Sequence, residues 1–365
     1  MNKEKRVLVG MSGGVDSSVS AALLKDQGYE VIGITIAPFD LGKEYMEHYT
    51  AKGCLGKTNL DDAAQVCEDL GIKHIIVDYS NTFKTNVAEY FIEEYLAGRT
   101  PNPCVQCNPV IKWGKLLETA DDLECSHIAT GHYAKIEKDN SKYILKKAKD
   151  RRKDQTYFLW KLTSKQLART IFPLGHLTKT ETRKIAEEKE LKIFKKQESQ
   201  EVCFIPDNDY RNFLELFAGS SRKLPGEGNI IFMNQVAGTH KGYPFYTIGQ
   251  RKGLGVTYKE PLYVKRIDAE ENQVIVGRQG ELFNDGLLAT GVNLHRYRDE
   301  LAEPKEFIVK IRYKDPGNNA LCSITGDGKL KVEFPSQTRA ITPGQSVVMY
   351  EDETLIGGGI IEEWF

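Results

Sequence analysis

The 365-residue sequence has no apolar run long enough to cross a bilayer. With 40% hydrophobic and 28% charged residues it has a globular composition, so a membrane role is not expected. Leader chemistry is missing as well: Met1 to Arg6 run into only Val7, Leu8 and Val9 before a glycine turn, too short for an h-region, and a cytoplasmic protein is expected. Neither charge is in excess. Fifty Lys and Arg against 51 Asp and Glu leave a net charge of −1, so a nucleic-acid partner would have to be held by local basic patches. No internal repeat or low-complexity linker interrupts the chain. Cysteine is scarce and odd in number. The seven, at positions 54, 67, 104, 107, 125, 203 and 322, suit free, catalytic or metal-binding thiols better than a disulfide framework.

What is present begins with length, which suits two or three domains, each with its own core. Short β-rich runs alternate with helical patterns: Arg6 to Val9, a helix from about Ser17, Glu30 to Ile36, a helix from about Asp61, then His74 to Val77. That alternation predicts an α/β fold with a parallel sheet between helices. Ligands then collect at the carboxyl ends of strands, such as the one ending in Ile128-Ala129-Thr130-Gly131-His132. A further helix is expected over Phe83 to Leu96. Past about residue 206 helical periodicity fades and glycine becomes frequent. Strand-like segments at Asn229 to Met233, Leu262 to Ile267, Leu330 to Phe334 and Ser346 to Tyr350 predict an all-β half. Turns at Asp315-Pro316-Gly317-Asn318, Gly326-Asp327-Gly328 and Pro343-Gly344-Gln345 suit a small barrel.

The segment Val7-Leu8-Val9-Gly10-Met11-Ser12-Gly13-Gly14-Val15-Asp16-Ser17-Ser18 reads as a buried strand, a tight turn and a helix with Val19, Ala22 and Leu23 on one face. Glycines admit an anion close to the backbone, and the helix start offers unpaired N–H groups and a positive dipole end, so the element should bind phosphate. It has neither the Gly-Lys-Ser/Thr ending of a Walker loop nor a Gly-x-Gly-x-x-Gly pattern. Ser-Gly-Gly-x-Asp-Ser after a strand resembles the PP-loop of ATP pyrophosphatases. Asp16 either helps place Mg²⁺ at the phosphates or only favours the helix dipole.

Thr100-Pro101-Asn102-Pro103-Cys104-Val105-Gln106-Cys107-Asn108-Pro109 is a loop stiffened by prolines. With Asn108 as N-cap and Pro109 as first helical residue, a helix is expected directly after Cys107, which would lower that thiol's pKa. Cys-x-x-Cys by itself is open to half a zinc site, a redox dithiol, iron-sulfur ligands or two plain thiols. Zinc is the weakest reading, because no second Cys-x-x-Cys exists and His127 and His132 are poorly spaced for one helix face. Cys203, in Gln197-Glu198-Ser199-Gln200-Glu201-Val202-Cys203-Phe204-Ile205-Pro206, alone reads as a buried core cysteine.

These segments occur together with Ile111-Lys112, Gly131-His132-Tyr133-Ala134, Lys153-Asp154-Gln155-Thr156-Tyr157-Phe158-Leu159, Tyr246-Thr247-Ile248-Gly249-Gln250-Arg251-Lys252-Gly253-Leu254-Gly255 and Pro343-Gly344-Gln345. In order, from residue 7 to about 361, they resemble the bacterial tRNA-specific 2-thiouridylases (MnmA) of the PP-loop ATP pyrophosphatase superfamily. The resemblance implies a catalytic PP-loop domain of the adenine nucleotide alpha hydrolase-like kind over 1–206. A small central β-rich domain over 207–283 and a C-terminal β-barrel over 284–365, both touching tRNA, would follow. It implies an ATP-dependent sulfurtransferase that adenylates O2 of the wobble uridine of a tRNA and passes sulfur from a cysteine persulfide to C2, giving 2-thiouridine, AMP and pyrophosphate.

Carried over residue by residue, Cys203 resembles the persulfide carrier and Cys107 the nucleophile that acts with it, through a transient disulfide. Gly10, Met11, Ser12, Gly13, Gly14, Val15, Asp16, Ser17 and Gly131 would hold ATP with Mg²⁺, and Ile36 stands beside the adenine where the family often has Met. Asn102, Pro103, Cys104, His132, Lys153, Asp154, Gln155, Arg312, Tyr313 and Gln345 would touch tRNA. A persulfide-donor protein or a sulfide source, and a monomeric chain, complete the expectation. Cys104 stands where some members carry an acid/base Asp, so an obligatory carboxylate is excluded there. In the alternative mechanism Cys104, Cys107 and Cys203 ligate a four-iron four-sulfur cluster.

Lys142 to Lys153 holds seven Lys or Arg and one Asp, which suits phosphate contacts or a solvated basic hairpin; Arg251-Lys252 is either a phosphate contact or an exposed turn. Two other functions remain at this level. One is adenylation of a carboxylate or another base for attack by an amine, which needs no cysteine pair. The other is an RNA-binding module without catalysis.

Overall fold

The computed structural model describes residues 5–37, 57–140, 142–197, 202–205, 209–218, 223–297 and 300–365. Cys54, and Glu198 to Glu201 and Pro206 around Cys203, lie outside the described residues. The chain forms two compact units. The first comprises Met1–Ala88, Cys104–Tyr210 and Glu353–Leu355, the second Glu89–Pro103, Arg211–Asp352 and Ile356–Phe365.

In the first unit, β1 (Arg6–Gly10), β2 (Glu30–Ile36), β3 (Lys73–Val77) and β4 (His127–Ala129) pair in parallel. A hairpin of β5 (Ala134–Asp139) and β6 (Lys142–Lys147) follows, and β7 (Thr170–Ile171) extends the sheet beside β4. The order is β3-β2-β1-β4-β7. Val7, Leu8 and Val9 of central β1 are fully buried, as an apolar strand covered on both faces requires. Helix α1 (Val15–Asp26) links β1 to β2, and Val15, Val19 and Leu24 pack into the core with Val31, Val66 and Cys67. The chain runs outward from β1 through β2 to β3 and then crosses to β4 on the other side of β1, so the crevice at the carboxyl ends of β1 and β4 is a topological switch point. The expected Phe83 to Leu96 helix is a helical run: Ser80–Phe83, a π-wound Lys84–Ala88, and Glu89–Leu96.

In the second unit, β8 (Gly228–Phe232), β9 (Gln235–His240), β10 (Tyr263–Asp268) and β11 (Gln273–Gly277) form a sheet of order β10-β11-β8-β9 over Ile230, Val264, Val274 and Val276. Next come β12 (Phe283–Leu294), β13 (Lys305–Lys310), β14 (Asn318–Ile324), β15 (Leu330–Arg339), β16 (Ser346–Glu351) and β17 (Thr354–Trp364), in the order β12-β15-β14-β13-β16-β17. Pairing of β12 with β17 closes the ring, which removes exposed edges. Alternation puts Phe307, Val309, Cys322, Leu330 and Val332 inside. Residues 353–355 belong to the first unit, where Lys147 N donates to Glu353 O (2.8 Å) and Thr354 pairs with Lys146.

One stretch departs from the all-β expectation. Tyr210–Ala218 is a helix, because Tyr210, Phe213, Leu214 and Phe217 recur at helical spacing; the Phe213 and Phe217 rings stack at 4.5 Å and Phe213 meets Phe91 edge-on. No helix among the described residues is long and apolar enough to cross a membrane.

Candidate active site

The turn after β1 builds an anion cradle from backbone. Met11 N donates to Ile34 O (2.8 Å), and the Ser17 hydroxyl both accepts from Ser12 N (3.1 Å) and donates to Gly14 O (3.1 Å). Gly14 is the N-cap of α1 and makes no side-chain bond to the first N–H groups of the helix. Gly13 has φ +69°, and a Cβ there would lie 2.1 Å from Asn59 O. At Gly131, just past β4, a Cβ would lie 2.8 Å from Asp16 C and from Ser17 N, so this glycine lets the strand end reach the start of α1.

Two lysines far away in sequence complete the loop. Lys179 Nζ is 2.7 Å from Asp16 Oδ1, which also accepts from the Tyr133 hydroxyl at 2.9 Å. Its backbone N–H donates to Asp150 Oδ2 (3.1 Å), and Thr178 caps its helix in a reciprocal box with Glu181. Lys196 Nζ donates to Gly13 O (2.9 Å) and pairs with Asp62. Both sit outside every motif, so nothing local in the sequence marks them.

Cys107 lies on a continuous helical run. Pro103–Cys107 is α, Asn108–Lys115 is π-wound and Leu116–Asp122 is α again. The expected helix start after Cys107 is therefore wrong. Pro103 opens the helix, and Asn108 caps nothing; its amide instead donates to Phe158 O (2.8 Å). Pro109 falls inside the helix, where it lacks an N–H and crowds the carbonyl four residues back, and the wider winding accommodates it. Leu116 N–H donates to Ile111 O, five residues back. The expected lowering of the Cys107 pKa fails with it: burial pushes the thiol up to about 11, opposed by the Lys112 charge. Cys203 is half-buried; its neighbour Phe204 is buried edge-on against Phe83 (5.2 Å).

A cavity of about 320 Å³ at the switch point joins these parts. Of the expected nucleotide residues, Gly10, Met11, Ser12, Asp16, Ser17, Ile36 and Gly131 line it, while Gly13, Gly14 and Val15 shape the loop behind. Cys107 and Cys203 line it too, with His132 and Gln155. Ile34, Thr35, Ile111, Lys112, Leu116 and Thr130 complete the wall without having been singled out as site residues. Thr35 Oγ1 donates to Met11 O (3.0 Å), pinning the loop to β2. Burial and the Lys112 charge hold the His132 pKa well below its ordinary value. Lys112 Nζ stands 3.5 Å from its Nε2; an ammonium only donates, so Nδ1 carries the proton and donates to Thr130 Oγ1 (2.7 Å).

The other expected tRNA residues lie elsewhere. Asp154 is buried, accepting from Ala148 N (2.9 Å) and the Thr156 hydroxyl (2.7 Å), so its carboxylate closes a turn. Lys153 is half-buried. In the basic segment, Lys146 pairs with Glu137 (2.6 Å), Lys149 with Glu181 (2.7 Å) and Arg151 with Glu353, which cancels much of its charge. In the second unit Arg312 is exposed and Tyr313 half-buried, while Gln345 Nε2 donates to Thr100 O (2.8 Å) and so holds the loop carrying Asn102 and Pro103. Arg251 and Lys252 are exposed in a turn. Cys104 is half-buried and does not line the cavity. Among the described residues no three His, Cys, Asp or Glu side chains are grouped to hold a metal ion.

Three family models match consecutive segments: a tRNA methyl transferase HUP domain over residues 5–207, a tRNA methyl transferase PRC-barrel domain over 211–278, and an aminomethyltransferase beta-barrel domain over 284–361. A protein of Clostridium botulinum (strain Okra), named tRNA-specific 2-thiouridylase MnmA 2, is 46% identical over 99% of this chain and 100% of its own length. The tRNA-specific 2-thiouridylase MnmA of Amoebophilus asiaticus is 45% identical over 100% of this chain and 96% of its own. Among solved structures, the NMN synthetase of Francisella tularensis matches 61% of this chain and 79% of its own at 15% identity and a TM-score of 0.34, too low to inform fold or function. The model names speak of methyl transfer and the curated relatives of thiouridylation; full-length identity near one half gives the relatives the greater weight.

Proposed function

The chain belongs to the tRNA-specific 2-thiouridylase family, and from that premise we propose that it uses ATP to adenylate O2 of a wobble uridine and then moves sulfur from Cys203 to C2. One observation carries the reading: a phosphate loop and two cysteines 96 positions apart, Cys107 and Cys203, line one cavity. A uracil carbonyl oxygen is a poor leaving group, and an AMP ester at O2 turns it into a good one. The terminal sulfur of a Cys203 persulfide attacks C2, and AMP leaves with its oxygen. Cys107, as thiolate, then attacks the Cys203 sulfur. The S–S bond to the transferred sulfur breaks, C2 keeps that sulfur, and the Cys107–Cys203 disulfide is reopened by an external reductant.

The nucleotide fits the residues present. The Gly10 to Ser17 turn supplies N–H groups for phosphates, Ile34, Ile36, Ile111 and Leu116 an apolar wall for the base, and the volume lies within the usual range of about 300–1,000 Å³ for small-molecule sites. Mg²⁺, when bound, would neutralise phosphate oxygens; Asp16 fits it, because its Lys179 and Tyr133 bonds both go to Oδ1 and Oδ2 remains to coordinate. The Gln155 side chain, whose Oε1 accepts from Tyr133 N, offers its amide NH2 to the uracil edge. The basis for the wider assignments is the family and the tRNA substrate: domains at 1–206, 207–283 and 284–365, tRNA contacts at Arg312, Tyr313 and Lys153, a monomer, a persulfide donor and a cytoplasmic site of action.

The test is anaerobic: unmodified tRNA, ATP and polysulfide, a donor of sulfane sulfur that can load Cys203 as a persulfide without an added oxidant, are incubated with wild-type, Cys107→Ser and Cys203→Ser proteins, with iron content recorded. 2-Thiouridine from iron-free wild type, abolished by Cys203→Ser, is expected. Activity surviving Cys203→Ser would favour adenylation for another nucleophile, and activity appearing only with iron would favour the cluster.

A further inference from the structure

The π-wound stretch Asn108–Lys115 decides which side chains face the cavity. Cys107, Ile111, Lys112 and Leu116 all line it, at steps of four and five residues. On an α-helix, at about 100° per residue, Lys112 would point about 140° away from Cys107, and Leu116 to the opposite side. Winding with i to i+5 bonds brings residues four and five apart onto one face. The helix is also held from behind. Trp113 is buried and donates from Nε1 to Thr170 Oγ1 (2.7 Å), its carbonyl accepts from Gln166 Nε2 (3.1 Å), and Asn108 is tied to Phe158 O. Rotation about the axis is therefore fixed, and at Gly114 a Cβ would lie 3.2 Å from Pro109 O, in the widened turn.

Among the described residues that line the cavity, Lys112 is the only Lys or Arg. It is half-buried beside a neutral imidazole, in the same wall as the Cys107 sulfur. A nucleophilic sulfur must shed its proton, and an apolar wall of Ile111 and Leu116 resists the resulting charge.

We propose that Lys112, turned into the cavity by the π-wound segment, is a positioning residue of the sulfur step whose fixed ammonium is the counter-charge for the Cys107 sulfur. The inference rests on Cys107 being the nucleophile. The thiol proton leaves to solvent, the electron pair stays on sulfur within the field of Nζ, and that sulfur attacks Cys203 as written above; His132, accepting from Nζ, keeps the ammonium in place. The burial that raises the Cys107 thiol to about 11 is the resistance that Lys112 acts against.

The experiment measures alkylation of Cys107 by iodoacetamide in the full-length protein near neutral pH, read by mass spectrometry of its peptide, for wild type, Lys112→Met and Lys112→Arg. If Lys112→Met raises the thiol pKa by one unit, alkylation slows about tenfold. Lys112→Arg is expected to restore most of the rate, and KM for ATP to move less than the alkylation rate. Unchanged Cys107 alkylation in Lys112→Met overturns the proposal, as does a defect confined to KM for ATP, which would make the lysine a phosphate contact. Circular dichroism identifies a misfolded variant, and Lys112→Gln then repeats the measurement. Failure of the thiouridylase reading is separate: it would be seen as wild-type protein making no 2-thiouridine, whereas Cys107→Ser making it at the wild-type rate would remove Cys107 as the nucleophile.

Discussion

A single methyl group at Gly131 would meet the backbone of Asp16 and Ser17 at 2.8 Å. Gly131→Ala should therefore push the end of β4 off the phosphate loop, and since small misplacements at such sites are costly, KM for ATP should rise about tenfold or more in initial-rate measurements. A variant with an unchanged KM would mean that the loop yields freely. At this scale the sequence is informative wherever chemistry is local. Glycines and serines after an apolar strand announce an anion cradle, and the cavity gathers Gly10, Ser12 and Ser17. Lys179 and Lys196 are silent, because each is an ordinary lysine until folding carries it to Asp16 or Gly13 O. The sign of the Cys107 shift was illegible for the same reason: a proline that reads as a helix start lies inside one, and burial outweighs any dipole.

Whole elements carry the next set of consequences. Pro109→Ala gives the helix around Cys107 back a backbone donor and removes a clash, which favours α winding. The melting temperature should hold or rise while 2-thiouridine formation falls, because Lys112 and Leu116 rotate out of the cavity; activity at the wild-type rate would show that the winding is incidental. Thr178→Ala removes one half of a capping box and should cost about 1 kcal/mol in chemical denaturation. It should also raise KM for ATP, since Lys179 is the next residue and reaches Asp16 from that helix start. Strand positions were legible because β1, β2 and β3 are apolar runs between helical patterns. The helix Tyr210–Ala218 was not, since its four aromatic and aliphatic anchors stand among residues that read as turns and strands.

For the molecule as a whole, pH is the most direct probe. Burial lowers the pKa of His74, His127, His132 and His240, which lie in both units. Below about 6.5 the unfolded chain takes up protons that these folded imidazoles refuse, so stability present above that pH is lost as pH falls. Asp78, Asp268 and Glu281, whose pKa values are lowered by hydrogen bonds, add their own loss only below about 4.5, the start of the carboxylate range. The melting temperature should thus drop between neutrality and pH 5, and His240→Gln should flatten that slope; a flat profile in wild type would contradict the buried neutral imidazoles. The barrel was legible only as turns and short strands, because closure of β12 on β17 depends on residues more than sixty positions apart.

The short piece 353–355 gives the chain an order of manufacture. A ribosome that has released the phosphate loop, Cys107 and Cys203 must still add residues 211–352 before Glu353 emerges to accept from Lys147 and pair with Arg151. Until then the β5–β6 hairpin lacks its third strand, so the nucleotide-binding unit stays unfinished while the barrel strands are being made. Nascent protein thereby carries an uncovered β6 edge until most of the remaining sequence has left the exit tunnel.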